Sequence, residues 1–117
     1  MRYPACPRRW ASVSVLATAA LFGIGAGRGL ADEALAKKYG CTDCHGVSER
    51  GFVGPSFKEV SGRYKDKADA RKALVATVKN GGKGNWTEIS RGVPMPPYKN
   101  RIPEADIERL VSWLLGR

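Results

Sequence analysis

The sequence predicts an all-α fold of about four helices. Apolar residues recur at helical spacing in residues 55–64, 66–80 and 103–115. No stretch alternates apolar and polar residues convincingly, as a half-buried strand would, and there is neither an internal repeat nor a low-complexity tract. At 117 residues, 43% hydrophobic and 26% charged, the chain has the composition of one folded domain.

The N-terminus predicts a cleavable secretory signal peptide over residues 1–31. A basic start precedes an uncharged apolar run at 10–24, and Gly29-Leu30-Ala31 forms a small-x-Ala cleavage site. A retained membrane anchor is the alternative, but a spanning helix needs about 20 apolar residues and this run is shorter. Arg8-Arg9 raises a twin-arginine route, although its neighbours fit that motif poorly. We therefore expect general secretion to the periplasm and no membrane span in residues 32–117.

Cleavage changes both the charge and the cysteine count. It removes four of the 20 basic residues and none of the 11 acidic ones, which lowers the net charge from +9 to +5. The remaining basic residues are scattered and no binding motif accompanies them, which argues against nucleic-acid binding. An excess of lysine suits docking onto acidic protein surfaces. Cleavage also removes Cys6, which leaves Cys41 and Cys44 as the only cysteines.

The first two predicted helices flank an irregular segment. Residues 32–39 are acidic at the start and basic at the end, which suits the helix dipole, and Gly40 follows. Residues 46–54 are glycine-rich and irregular. Pro55 is placed to begin the second helix, at 55–64, because proline is tolerated at the first helical position.

The second half predicts two longer helices around a loop. In 66–80, Ala70, Leu74 and Val78 fall four residues apart, and glycines follow. Residues 82–101 form a long loop. A loop of this length is usually functional or disordered, and its aromatics and prolines argue against disorder. Residues 103–115 carry acidic residues at the start and one apolar face.

The chemistry centres on Cys41-Thr42-Asp43-Cys44-His45, the attachment signature of a c-type haem. Two thiols three residues apart reach two vinyl groups of one porphyrin, and the next imidazole then lies under the iron. His45 is the only histidine in the chain. Met95 is the only methionine outside the signal peptide, and prolines at 94, 96 and 97 restrict its backbone. Met95 is therefore the candidate for the second axial ligand, and a Met/His pair raises the haem reduction potential.

Three other interpretations of the cysteine pair fit the sequence less well. A thioredoxin-like dithiol would follow a strand in a βαβ pattern, which the sequence does not show. A structural zinc site needs four ligands, whereas Cys41, Cys44 and His45 supply three, two of them adjacent. A structural disulfide in the secreted chain stays open.

Residues 32–117 resemble a class I cytochrome c of the small monohaem bacterial type. The resemblance rests on the attachment motif, Val53-Gly54-Pro55, Lys79-Asn80-Gly81, Trp86, Met95-Pro96-Pro97 and the final helix with Trp113. It implies about four helices around one haem c, bound covalently through Cys41 and Cys44. Further implied roles are His45 and Met95 as axial ligands, the Pro55 carbonyl orienting His45, Val53, Leu74 and Val78 packing on the haem, and Trp86 donating to a propionate.

Two departures from the family pattern stand near the predicted ligand loop. Some relatives carry an amide three residues past the axial methionine, where this chain has Tyr98. Residues 87–91 also make this loop a few residues longer than usual, which predicts an added surface loop.

The resemblance implies a soluble periplasmic monohaem electron carrier. Filled axial positions leave no place for a substrate, so we expect no catalytic residues and no enzyme activity. We expect a monomer that docks transiently with redox donors and acceptors. Two alternatives stay open: an electron-transfer subunit of a larger oxidoreductase, and a catalytic or sensing haem protein with a labile sixth ligand.

Overall fold

The computed structural model describes residues 27–117 and confirms the predicted all-α class. Its helices are α1 (Gly27–Lys38), α2 (Phe57–Tyr64), α3 (Ala70–Asn80), α4 (Thr87–Ser90) and α5 (Glu104–Leu115), with a 3-10 turn at Cys41–Asp43. The described residues form no β-strand, only one isolated antiparallel bridge between Gly82 and Met95. Residues 1–26, most of the predicted signal peptide, lie outside the described residues.

Helix α1 begins five residues before the predicted start at Asp32. Its first turn therefore belongs to the predicted signal peptide, and cleavage before Asp32 stays a prediction. Asp32 forms an ion pair with Arg109 of α5, and Ala36 is fully buried. The helix gives way to Gly40 at φ 70°, a left-handed conformation that glycine adopts without cost. None of the helices in residues 27–117 has the length and apolarity needed to cross a bilayer.

Helix α2 begins at Phe57, so the predicted start at Pro55 was wrong by two residues. The reason is a capping box at its N-terminus. The Ser56 hydroxyl accepts from the Glu59 backbone N–H at 3.1 Å, while the Glu59 carboxylate accepts from the Ser56 backbone N–H at 2.9 Å. These bonds satisfy two backbone donors that the helix start would otherwise leave free.

The other helix boundaries differ in two places. Helix α3 begins at Ala70 rather than at residue 66, because exposed residues 65–69 form a turn after α2. Helix α4 lies inside the segment expected to be free of secondary structure. The Trp86 carbonyl accepts from the backbone N–H groups of Ile89 and Ser90, which closes a single turn of helix.

Helix α5 is the central element, since it contacts α1, α2 and α3. Its Ile107 is only 1% exposed. Burying a side chain of this size contributes about 1.5–3 kcal/mol to folding. The core forms two clusters of buried residues, with Val60, Leu74, Val75, Ile102, Ile107 and Val111 in the first and Ala36, Phe57 and Leu110 in the second. Residues of both clusters line one cavity, and the candidate site lies there.

Candidate functional site

A largely apolar cavity of about 250 Å³ lies between α2, α3, α5 and the loop that carries α4. Leu74 and Val78 line it from α3, and Leu110 and Val111 from α5. The cavity brings together all of the site residues that the sequence predicts, namely Cys41, Cys44, His45, Val53, Pro55, Leu74, Val78, Trp86 and Met95. Such a lining suits a largely apolar molecule, because burying apolar surface is favourable and burying unpaired polar groups is costly.

The two thiols reach the cavity from the 3-10 turn. The His45 backbone N–H donates to the Cys41 carbonyl at 3.0 Å, which closes the motif into one compact turn. Cys41 is half-buried and Cys44 is exposed, and the two do not form a disulfide. Burial raises the pKa of the Cys41 thiol above its ordinary value.

The imidazole of His45 is oriented by its neighbours. Its Nδ1 lies 2.8 Å from the Pro55 carbonyl oxygen. Because a carbonyl only accepts hydrogen bonds, Nδ1 carries the hydrogen and Nε2 keeps a free lone pair. The Phe57 ring stacks on the imidazole at 5.6 Å between centroids. A Cβ at Gly54 would lie 2.5 Å from Cε1 of His45, so only glycine lets the backbone approach this closely.

Met95 is held by the backbone of two glycines. Gly82 and Met95 exchange two backbone hydrogen bonds of 2.9 Å. Gly81, at φ 69°, approaches so closely that a Cβ there would lie 2.3 Å from the Met95 carbonyl oxygen. With prolines on both sides, the main chain at Met95 has little freedom. The side chain is half-buried and lines the same cavity as His45.

The remaining predicted residues form the walls. Leu74 is buried, whereas Val53 and Val78 are half-buried. Trp86 is also half-buried, and the guanidinium of Arg63 lies 3.8 Å from the centroid of its ring. Arg63 donates to the Asn85 carbonyl at 2.7 Å as well, which fixes the guanidinium over the indole.

Three residues to which the sequence analysis assigned no individual role belong to this site. Ser90 is buried and lines the cavity, and Gly54 and Gly81 press against the two candidate ligand segments. A glycine beside a functional residue can signal close backbone approach, so Gly54 and Gly81 were open to prediction. Ser90 was not, because no sequence pattern shows that the hydroxyl of a loop serine is buried.

The donor set fits a haem better than a structural metal ion. In residues 27–117, no group of three or more His, Cys, Asp or Glu side chains is arranged to hold a metal. The cavity instead pairs one imidazole nitrogen and one thioether with an apolar lining and two thiols at its edge. This is the combination that a covalently attached porphyrin requires.

Comparison with known proteins agrees with this chemistry. The cytochrome c family model matches residues 26–117. Cytochrome c-551 of Allochromatium vinosum is 50% identical over 87 residues, covering 74% of this chain and 86% of that protein. The crystal structure of Nitrosomonas europaea cytochrome c552 has a TM-score of 0.62 at 37% identity, covering 71% of this chain and 95% of that one. The class 1 cytochrome MtoD of Sideroxydans lithotrophicus has a TM-score of 0.58 at 30% identity, covering 74% and 91%. The chain therefore belongs to the cytochrome c family, as a small class I member whose haem c is attached covalently through Cys41 and Cys44.

Proposed function

We propose that this protein is a periplasmic electron carrier whose haem iron is ligated by His45 and Met95. The observation that carries the proposal is the placement of both side chains on one cavity, with Nδ1 of His45 bonded to Pro55 and Nε2 free. The haem iron supplies one-electron chemistry between Fe(III) and Fe(II). The chain supplies the ligands, a water-poor cavity and a fixed geometry.

The Pro55 carbonyl tunes the proposed proximal ligand. Accepting the hydrogen of Nδ1 fixes the tautomer of His45 and raises the basicity of its Nε2. Met95 offers a neutral thioether, which favours Fe(II) more than an anionic ligand does and so raises the reduction potential. We propose that Trp86 donates its indole N–H to a haem propionate, with Arg63 holding the ring in place.

With His45 and Met95 both bound to the iron, no coordination site would remain for a substrate. We therefore propose that the protein transfers electrons and is not an enzyme. Electron transfer needs only brief docking at an exposed haem edge, and redox encounters of this kind have small interfaces.

We propose that surface lysines steer this docking. Lys58, Lys83 and Lys99 are exposed and form no salt bridge within residues 27–117, and Lys83 lines the cavity. Lys79 is different, since its ammonium group pairs with Glu104 at 2.8 Å and offers less free charge. The proposed redox donors and acceptors accordingly present acidic surfaces, and we propose that the carrier meets them as a monomer. Complex formation should weaken as ionic strength rises.

Secretion completes the proposal. Residues 1–31 supply the signal peptide, and export as an unfolded chain leaves Cys41 and Cys44 open to haem attachment. We propose the periplasm as the working compartment on the strength of this N-terminal pattern.

Absorption spectroscopy of the holoprotein tests the ligand set. The oxidised protein should show the weak methionine–iron charge-transfer band, and the reduced protein should bind carbon monoxide poorly. The Met95→Ala variant should lose the band and bind carbon monoxide rapidly, while Met95→His should stay closed to carbon monoxide without the band. Rapid binding by the wild-type protein would instead support a labile sixth ligand and a catalytic or sensing role.

A further inference from the structure

We propose that the Ser90 hydroxyl donates a hydrogen bond to a propionate of the haem. The inference rests on the proposed function, because it assigns a role within the same haem site. The inference assigns a polar contact with the haem to residues 87–91, where the sequence predicts only an added surface loop.

Ser90 Oγ stands apart from the other polar side-chain atoms. Across residues 27–117, it is the one buried side-chain nitrogen or oxygen without a hydrogen-bond partner. The residue is only 8% exposed, and it lines the haem cavity. A buried hydroxyl without a partner costs free energy, so a buried polar atom of this kind calls for a partner that the polypeptide does not supply.

Two other helical hydroxyls find a partner within their own helix, and that of Ser61 in α2 donates to the Arg117 carbonyl. Thr77 and Ser112 each donate to the carbonyl four residues earlier, both at 2.9 Å. The equivalent carbonyl for Ser90 belongs to Trp86, and it already accepts from two backbone N–H groups. The Ser90 hydroxyl is not bonded to it, which leaves its hydrogen available to the cavity.

Ser90 and Trp86 lie one helical turn apart and line the same cavity. Side chains four residues apart project from the same side of a helix. The added turn α4 therefore supplies a hydroxyl next to the indole that we propose as a propionate donor. Together they would form a pair of donors on one short segment.

The haem offers few acceptors for such a hydroxyl. Its vinyl groups are consumed in the bonds to Cys41 and Cys44, and most of its rim is apolar. The propionates are the strong acceptors on its periphery, whereas the Met95 thioether, which lines the same cavity, is a weak acceptor. A hydrogen bond to an ionised carboxylate is also stronger than one to a neutral group. A propionate is therefore the favoured partner.

The bond has a measurable consequence for protonation. An apolar cavity raises the pKa of a carboxyl group, and a hydrogen bond to the carboxylate lowers it. Ser90 would thus keep one propionate ionised near neutral pH. Because a nearby negative charge favours Fe(III), the pH at which this propionate titrates also marks an inflection in the reduction potential.

Carbon-13 NMR of the propionate carboxyl groups in labelled holoprotein tests the assignment. The Ser90→Ala variant should raise the pKa of one propionate by about one pH unit, because it removes one hydrogen bond from the charged form. The inflection in the potential–pH curve should move upward with it. Ser90→Thr keeps a hydroxyl and should titrate like the wild type. Ser112→Ala removes a hydroxyl that is bonded to its own helix, and it should leave both propionates unchanged.

Two results would overturn the assignment. Propionate titrations that are the same in wild type and Ser90→Ala, including no titration in either, would show that the hydroxyl bonds elsewhere. A change in the methionine–iron band with unaltered propionates would assign the hydroxyl to Met95 instead. Neither result touches the proposed function, which fails only if the wild-type iron lacks Met95 and binds carbon monoxide rapidly.

Discussion

Replacing Gly81 by alanine should detach the Met95 loop from α3 without disturbing the rest of the fold. The added Cβ would lie 2.3 Å from the Met95 carbonyl oxygen and 2.8 Å from the Pro96 carbonyl carbon. Both contacts are to backbone atoms, which cannot rotate away as a side chain can. The loop must therefore move as a unit, and the two hydrogen bonds between Gly82 and Met95 should weaken with it.

The expected loss of stability has two parts. Gly81 has φ 69° and ψ −163°, a backbone conformation that is essentially restricted to glycine, so a residue with a Cβ there costs about 1–3 kcal/mol. Forcing a methyl group into packed backbone costs about a further 1–3 kcal/mol. We expect Gly81→Ala to lower the free energy of unfolding by about 2–6 kcal/mol by these two terms.

Gly84 supplies a matched control. It has a similar φ of 55°, but a Cβ there would meet only a side-chain carbon of Trp86 at an ordinary 3.7 Å. Gly84→Ala should therefore cost only the conformational term, about 1–2 kcal/mol.

Denaturant unfolding and absorption spectroscopy of the three holoproteins compare these effects. Gly81→Ala should weaken the methionine–iron band and speed carbon monoxide binding, while Gly84→Ala should retain wild-type ligation. If both variants lose equal stability and both keep the band, close approach of Gly81 does not position Met95 and the reasoning fails.

Three further predictions follow from other contacts. Gly54→Ala should displace the His45 ring and cost about 1–3 kcal/mol, read from unfolding and from the spectrum of the reduced protein. The pKa of Glu59 is lowered by its bond to the Ser56 N–H, so its contribution to stability is present above about pH 4.3 and lost as pH falls through the lowered value. Glu59→Gln should therefore be less stable than wild type at pH 7 and equal to it in acid. The pKa of Tyr39 is raised by its hydrogen bond to α5, so Tyr39→Phe should lower the thermal midpoint at pH 7, and the difference should vanish at high pH.

Each of these predictions has an outcome that would contradict it. Gly62 lies in α2, and an added Cβ there would meet no atom within 4 Å. Gly62→Ala should therefore leave the free energy of unfolding unchanged or raise it, which makes it a control for Gly54→Ala. Equal behaviour of the two variants would remove the argument from close approach. A Glu59→Gln deficit that persists at pH 2, or a Tyr39→Phe deficit that persists above the tyrosine pKa, would show that packing rather than ionisation is responsible.

The longer helices were predictable because their apolar side chains all face the core. This requirement fixes the spacing of apolar residues along the sequence. The correct start of α2 could also have been predicted, because Ser56-Phe57-Lys58-Glu59 is a capping-box pattern. This pattern outweighs the preference of proline for the first helical position. Helix α4 was not predictable, because four residues cannot display helical periodicity and its turn depends on the Trp86 carbonyl. Backbone hydrogen bonds within the loop therefore determine where α4 forms.

The candidate site was likewise predictable only in part. The sequence identifies the reactive side chains, because the chain has one histidine, three cysteines and two methionines and so offers few candidates. Gly54 and Gly81 signal close backbone approach in the sequence, but the distances from Gly54 to His45 and from Gly81 to Met95 depend on how separate segments fold together. The burial of Ser90 depends on how the α4 loop folds back onto the cavity, which one sequence does not show.

The two proposed ligands share a construction that suits an electron carrier. Neither lies in a helix: His45 follows a 3-10 turn, and Met95 lies in a proline-rich loop. Each is held instead by backbone atoms of a second segment, His45 by Gly54-Pro55 and Met95 by Gly81-Gly82. Glycine supplies the close approach and proline removes backbone freedom. Ligands fixed in this way should move little when the iron changes charge, and a small structural change on oxidation is what rapid electron exchange requires.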